Sequence, residues 1–459
     1  MTKKVAVIGA GIAGLTIAFK LKQAGWRVSL YEASPRVGGA IRTKKQQGFL
    51  AELGPNTVLE TSPKVAELID AAGLTGEKIY ANDSGQKRFI VRENKPVALP
   101  GSPIAFILTP LFGLLTKLKL IREPFIPAWD NRYEESLADF VLRRLGQEFL
   151  DYAINPFVAG VYAGDPGQLS VKHGFAKLYA LEQEYGSLIK GQIKGAKKRK
   201  KSAEQSKQSA RMISFKGGLG TLPEILASRL GTDLETNTKV TALSREKDKW
   251  IVQVRCDDGA EKTEHADHVI YAGPVYHLEE LTLNGANVQG FSELAEIHHP
   301  PVTTLTLGFK REQVDHPLDG FGMLVPEVEQ LNILGALFTS TLFPDRAPEG
   351  HVTITVFLGG VRQPDLTKLA DSELIKTVMA DLSSLLGIKG SPVFHLMKRW
   401  LKAIPQYNVG YGKYKAILSG LEKQHPGLHF TGNYCSGISV ADTIKHASEL
   451  AEALIDQAE

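Results

Sequence analysis

Three observations on this 459-residue chain predict an α/β fold of interleaved lobes. A β-branched apolar run at residues 5–8 leads directly into Gly9-Ala10-Gly11-Ile12-Ala13-Gly14 and a helical stretch. That strand, turn and helix make a Rossmann-like nucleotide-binding unit. In the second half, residues 303–309, 331–338 and 351–358 alternate apolar and polar as antiparallel strands do. From about Asp83 the βαβ rhythm stops, and a helical segment is inserted between the two. The expected division is 1–82, 208–285 and 425–459 for the nucleotide-binding lobe, 83–91 and 286–424 for an antiparallel-sheet lobe, and 92–207 for the helical lobe.

Composition narrows the class. Hydrophobic residues make up 43% and charged residues 23% of the chain, an ordinary globular balance. Two cysteines, Cys256 and Cys435, exclude a disulfide framework, lack metal-ligand spacing, and suit a reducing compartment. No metal is expected. A net charge of +4 is too small to argue for nucleic acid. The first strand begins within a few residues of Met1, so no cleaved leader is expected. No apolar run reaches the length of a bilayer span.

Each glycine of the opening motif has a role. Gly9 permits the tight turn, Gly11 lets a pyrophosphate approach the backbone, and Gly14 lets the following helix pack closely. The helix is expected over 12–23 and the second strand over 28–31. Glu32 then falls where an acidic side chain holds a ribose diol. The glycines alone leave FAD and NAD open. Directly after Glu32, Gly38-Gly39 lies between Arg36 and Arg42, offering close backbone approach and positive charge to a phosphate. This second element resembles the extended dinucleotide signature of the amine oxidase superfamily of flavoenzymes, and the resemblance implies FAD. Residues 52–57, with Gly54-Pro55, read as a turn; in that superfamily such a turn passes beside the isoalloxazine ring.

In the inserted lobe, residues 104–115 are apolar but broken by Pro110 and Gly113. They fit a buried helix pair, a membrane-interface segment or a channel lining, and the pattern does not choose. Residues 139–152 look helical, and small residues beside aromatics at 154–166 suggest close approach to a flat ligand. The basic run 197–201 suits a solvated loop or anionic headgroups.

Several runs, taken together, resemble the protoporphyrinogen oxidase family, its plant-like form in particular. They are residues 156–170, 181–188, Phe215-Lys216-Gly217-Gly218-Leu219, residues 317–322, Pro344-Asp345-Arg346-Ala347-Pro348 and Ile404-Pro405-Gln406-Tyr407. They pass through all lobes in the family's order. The resemblance implies that Leu324, Leu337 and Phe357 sandwich a tetrapyrrole, that Arg88 pairs with a propionate, and that Gly164 lies against the substrate. Toward FAD it implies the backbone at Val240 on the adenine. Gly432, Ile438, Ser439 and Val440 would lie at the flavin end, where a terminal helix aims its N-terminus at the ring.

The function implied is oxidation of protoporphyrinogen IX to protoporphyrin IX in porphyrin and haem biosynthesis. Hydride leaves for the flavin, dioxygen reoxidises it to give hydrogen peroxide, and the cycle runs three times. No protein base is singled out. Coproporphyrinogen III oxidation is the nearest alternative, and a flavin amine oxidase or carotenoid desaturase a more distant one. A cytoplasmic location, peripheral contact with the inner face of the cell membrane, and a homodimer are further expectations.

Overall fold

The computed structural model describes residues 2–130, 132–199 and 210–458. Its first sheet is all parallel, with strands in the order Leu234–Glu235, Arg27–Tyr31, Lys4–Ile8, His268–Tyr271 and Leu428–Phe430. Side chains alternate along a strand, so Val5 and Val7 enter one core while Ala6 enters another. Helices Ile12–Gln23, Thr221–Leu230 and Val440–Asp456 cover the first face. On the second face lies a four-stranded sheet built from Thr238–Glu246, Lys249–Cys256, Glu261–Ala266 and Thr282–Leu283. With both faces covered, the apolar 5–8 run is what the sheet requires.

The second large sheet has seven strands, ordered Phe394–Trp400, Val302–Lys310, His351–Gly359, Ile333–Leu337, Gly322–Leu324, Arg88–Arg92 and Lys95–Ala98. Lys95–Ala98, expected in the helical lobe, pairs antiparallel with Arg88–Arg92. The first segment of the sheet lobe therefore runs through Ala98 rather than stopping at 91. One face packs Leu305, Leu307, Phe309, Ile354, Val356, Met323 and Phe89 against the helix Asp371–Leu386, which contributes Leu374, Val378, Leu382 and Leu385. That spacing of four, four and three is a helix's apolar stripe.

Residues 139–152 do not form one helix. Leu137–Arg144 ends before Gly146, at φ +90°, and the chain resumes with Gln147–Phe149, a π-helical turn at Leu150–Ile154, and the helix Asn155–Tyr162. The π turn aims Tyr152 at Glu329 Oε1 (3.2 Å), with Arg92 4.4 Å over its ring. Glu148, just before the turn, accepts from Arg92 (2.8 Å) and from the Gly113 amide (2.8 Å). Asn155, just after it, donates to Glu327 (3.0 Å) and accepts from Arg362 (2.9 Å).

The helical lobe is held by a buried ionic knot. Arg144, 1% exposed, pairs with Glu123 (2.5 Å) and Glu182. Glu123 also accepts from the Ser187 hydroxyl and from the amides of Leu188 and Ile189, capping the helix Leu188–Arg199. A buried pair is tolerated when its other hydrogen-bonding positions are filled; both Glu123 oxygens are, whereas Glu182 Oε2 is buried without a partner. Of the 104–115 run, Leu111 and Phe112 pack inside. Ile104, Ile107, Leu108, Leu114 and Leu115 face outward. The buried residues belong to the turn between the helices Pro103–Leu108 and Leu114–Arg122, so the segment is not a buried helix pair.

Candidate active site

At the nucleotide end, the turn after the first strand and the Gly38-Gly39 doublet are pressed together. The Gly38 amide donates to Ala10 O (2.8 Å), and Gly11 and Gly38 form a parallel bridge. Gly38 and Gly39 have φ of +97° and +57°, values that L side chains resist. A Cβ on Gly14 would lie 1.9 Å from Gly9 O, whereas one on Gly11 would project into open space. That space lies before the N-terminus of Ile12–Gln23, where helix amides favour an anion. Arg36 is spent on Val37 O and Gly39 O, stiffening the doublet. Burial, then repulsion from Arg42, pushes the Arg36 guanidinium below its ordinary pKa. The Arg42 side chain has no acidic partner among the described residues. The Arg42 guanidinium beside an open glycine cradle fits a pyrophosphate, so the residues present suit FAD.

Glu32 ends the second strand as expected. One carboxylate oxygen accepts from the Ala10 amide (2.7 Å), the other from the Ser34 amide (2.9 Å) and hydroxyl (2.7 Å). Val240 lies in the adjoining strand Thr238–Glu246, where the pairing slips between Val240 and Ala242. The Thr238 amide bonds Glu32 O (2.9 Å), so Val240 sits at the ribose end of the cradle.

Beyond the sheet's last strand, Gly432 opens a loop that closes at Ile438, with Ser439 capping Val440–Asp456 by accepting from the Asp442 amide (3.1 Å). Lys4–Ile8 and Leu428–Phe430 run parallel in one sheet and the helices that follow them pack on the same face, so the N-termini of Ile12–Gln23 and Val440–Asp456 lie at the same edge of that sheet; Lys20 meets Glu452 at 2.9 Å between them. Buried Tyr407 braces the loop, donating to Asn433 O (2.6 Å) and accepting from the Gly437 amide (3.0 Å). The 52–57 turn packs on the segment after the glycine doublet: Leu53 N bonds Arg42 O (2.8 Å), and a Cβ on Gly54 would lie 2.0 Å from Ala40 O.

Glu52 precedes that turn and is buried. It accepts from Thr43 Oγ1 (2.5 Å) and the Leu219 amide (2.8 Å), while Gly220 N donates to Thr43 Oγ1 (2.8 Å). Burial raises its pKa to about 7 against these hydrogen bonds and nearby Arg346. One carboxyl thus ties the segment after the doublet to the Gly217-Gly218-Leu219-Gly220 run.

The predicted substrate residues share one face of the seven-stranded sheet, opposite its core face. Pairing places Thr306, Thr355, Leu337, Gly322 and Arg88 in one cross-strand row. Lys398, Thr304, Phe357, Gly335, Leu324 and Ile90 form the next row. The helix Asn155–Tyr162 closes over this face so tightly that a Cβ on Gly160 would meet Leu324 at 2.3 Å. Arg88 is half-buried, lies 5.7 Å from the Phe321 ring, and has no carboxylate partner among the described residues. Burial lowers its pKa. Gly164 lies off the sheet, one residue beyond Ala163, whose φ is +51°. Buried Gln406 presses on it, with Oε1 2.2 Å from where a Cβ would stand. The Gln406 amide donates to Tyr162 O (2.8 Å) and Ile404 O (3.0 Å), fixing this corner.

Sequence reasoning missed the parts that act through distant partners. Trp400 and Lys398 carried no local pattern; Glu52 was noticed only as the start of the 52–57 turn, and Gln406 and Tyr407 only within the Ile404-Pro405-Gln406-Tyr407 run, as a likeness.

The model of the family described as flavin containing amine oxidoreductase matches residues 12–455. The chain is 37% identical over 483 residues to protoporphyrinogen oxidase 2, chloroplastic/mitochondrial, of Arabidopsis thaliana, covering 100% of this chain and 94% of that protein. It is 30% identical to coproporphyrinogen III oxidase of Bacillus subtilis, covering 96% of each. Among solved structures, a protein from Exiguobacterium sp. 255-15 provisionally assigned as a protoporphyrinogen oxidase superposes with a TM-score of 0.80 at 24% identity, covering 100% of this chain and 99% of that one.

Two outcomes follow from this geometry. Gly11→Leu fills the cradle, so the purified variant loses its flavin absorbance while its far-ultraviolet circular dichroism is retained. Glu52 has a folded-state pKa near 7, above its unfolded value, so the folded state binds the extra proton between them. The associated stability is present below about pH 4.5 and is lost as pH rises through about 7. In Glu52→Gln this part of the decline in denaturation midpoint between pH 5 and 8 disappears; an unchanged slope removes Glu52 as its source.

Proposed function

Because the chain belongs to the flavin-containing amine oxidoreductase family, we propose that it oxidises porphyrinogens with FAD and dioxygen. Its principal reaction on this reading converts protoporphyrinogen IX to protoporphyrin IX. The carrying observation is the one-faced array of Leu324, Leu337 and Phe357 with an unpaired, half-buried Arg88 at its edge. A flat, apolar macrocycle with peripheral carboxylates needs such a surface: aliphatic and aromatic carbon for its faces, and one guanidinium fork for a propionate. The curated relatives named as protoporphyrinogen and coproporphyrinogen III oxidases support the substrate class.

Bound FAD would supply the two-electron acceptor, and dioxygen would take those electrons on as hydrogen peroxide. This chain's own residues bind and orient. Gly9, Gly11, Gly14, Gly38, Gly39 and Arg42 would hold the pyrophosphate, Glu32 the ribose, and the N-terminus of Val440–Asp456 the pyrimidine end of the ring. Arg88 sets the rotation of the macrocycle by gripping its edge. The helix Asn155–Tyr162 and the small residues at Gly160 and Gly164 exclude water from its faces. We assign no protein base: the groups on this sheet face are hydroxyls, apolar carbon and the two cationic side chains Arg88 and Lys398, and extended conjugation of the product drives loss of the pyrrole proton.

We further propose that the enzyme sits peripherally on an anionic bilayer, at the cytoplasmic face of the cell membrane. Leu108, Leu115 and Phe125 are 76%, 77% and 83% exposed, and Ile104, Ile107, Leu114, Leu118 and Ile121 of the same 104–125 segment are exposed as well. An apolar surface of that kind marks an interaction site. Lys117 donates to Ile107 O (2.7 Å) and Thr109 O (2.8 Å), satisfying carbonyls that the patch would otherwise carry into hydrocarbon. Lys119 and Arg122 share the helix of Leu118 and Ile121 and Lys190 stands 5.8 Å from the Phe125 ring, cations available to headgroup phosphates. The side chains of the basic 197–201 run lie outside the described residues. Among those described, no helix is long and apolar enough to cross a membrane.

In aerobic assays with both porphyrinogens, the purified protein produces porphyrin fluorescence and peroxide; acceleration of neither would sink the main reading. Arg88→Ala raises KM by about 10–100-fold with kcat little changed, as loss of a charge-assisted hydrogen bond made equally in ground and transition states requires. An unchanged KM removes Arg88 from the site. In flotation with anionic vesicles, wild type rises with the lipid and the Leu108→Glu/Leu115→Glu double variant stays at the bottom. Equal flotation of both would reject the membrane face.

A further inference from the structure

We infer that Lys398 is a second carboxylate anchor, opposite Arg88, which widens the substrate range to porphyrinogens carrying propionates on opposite edges. The inference rests on the porphyrinogen reading and deepens it. Register places Lys398 on the same sheet face as Leu324, Leu337 and Phe357. It pairs with Thr304, which pairs in turn with Phe357. Lys398 is half-buried, and no carboxylate pairs with its ammonium among the described residues. A partly desolvated cation without an anion is costly unless one arrives with a ligand.

The surroundings aim it. The Lys398 ammonium stands 5.1 Å from the Trp400 ring, and Trp400 is fixed by donating from Nε1 to Leu53 O (2.7 Å). Trp400 and the Leu53-Gly54 turn thus form one end of the face, and the helix Asn155–Tyr162 covers the other. Between them the floor is Leu337, Thr355, Phe357 and Thr304. The two cations bracket it from strands five pairings apart, about 24 Å between backbones, before two long side chains reach inward. A ligand with both propionates on one edge engages Arg88 alone. A macrocycle with propionates all round, as in coproporphyrinogen III, presents one to each cation.

The test is a fluorescence titration of the FAD-loaded protein with two stable oxidised ligands, coproporphyrin III and protoporphyrin IX. Lys398→Met weakens coproporphyrin III by about tenfold, the lower range for one charge-assisted hydrogen bond, and leaves protoporphyrin IX unchanged. Lys398→Arg keeps the wild-type preference, and Arg88→Ala weakens both ligands. Equal effects of Lys398→Met on both porphyrins, no effect on either, or release of FAD in place of porphyrin would each overturn the role of Lys398. If the wild type binds neither porphyrin, the porphyrinogen reading fails and this one with it.

Discussion

Side-chain alternation in the seven-stranded sheet, interrupted in Ile333–Leu337 by a bulge between Ile333 and Gly335, is the constraint on which the site depends. Because successive residues point to opposite faces, one set of side chains faces the helix Asp371–Leu386 and the other is left for a ligand. Leu305, Leu307, Val356 and Met323 anchor the first set. Thr304, Thr306, Thr355, Leu337 and Phe357 make the second. A slip of one residue in any strand would exchange the two sets, so the same apolar packing that stabilises the lobe also determines which residues meet substrate. Arg88 is placed in this way: Phe89 and Val91 fill the core, and that leaves Arg88 and Ile90 facing out of it.

Elsewhere the site is shaped by backbone pressed on backbone. Gly11 meets the Gly38-Gly39 doublet, Gly54 meets Ala40, and Gly160 takes the Leu324 side chain against its Cα. Polar groups lock these approaches from behind. Glu52 joins the doublet's hairpin to Leu219, Tyr407 braces the loop before the terminal helix, and Gln406 straps the corner at Gly164. None of these groups need touch a ligand. They hold the surfaces that do, and their burial is why Glu52, Tyr407 and the Gln406 amide nitrogen spend their hydrogen bonds inside the protein.

How much of this was legible depends on the range of the interaction. The cradle was readable because Gly9, Gly11, Gly14 and Glu32 act through spacing along one strand–turn–helix unit, and Gly38-Gly39 follows within a few residues. Period-two patterns announced the strands of the sheet lobe, but such a pattern cannot say which face is core. The substrate roles of Leu324, Leu337 and Phe357 therefore came from family likeness, and pairing then placed them on one face. Lys95–Ala98 was misassigned because a short strand with an internal proline reads as a turn until its partner is known. The single helix expected over 139–152 failed at Gly146, whose positive φ no periodicity reveals. Lys398 was invisible for a similar reason: in a Lys-Arg-Trp run at an edge strand, a charge reads as solvated until the strand's neighbours are known.

The π-helical turn at Leu150–Ile154 makes chain length a steering variable. A π turn carries one residue more than an α turn, so loss of a single residue there would act as a rotation. Each helical residue spans about 100°, and Glu148 would swing away from both Arg92 and Gly113. Everything after the turn, including Gly160 over Leu324, would keep its place. Gly113 leads directly into the outward-facing helix Leu114–Arg122, so that helix hangs from Glu148. The orientation of the apolar wedge relative to the catalytic face is thus encoded in a count of residues more than in their identities. Lineages in which this count drifts by one would re-aim the wedge without altering a single residue of the site.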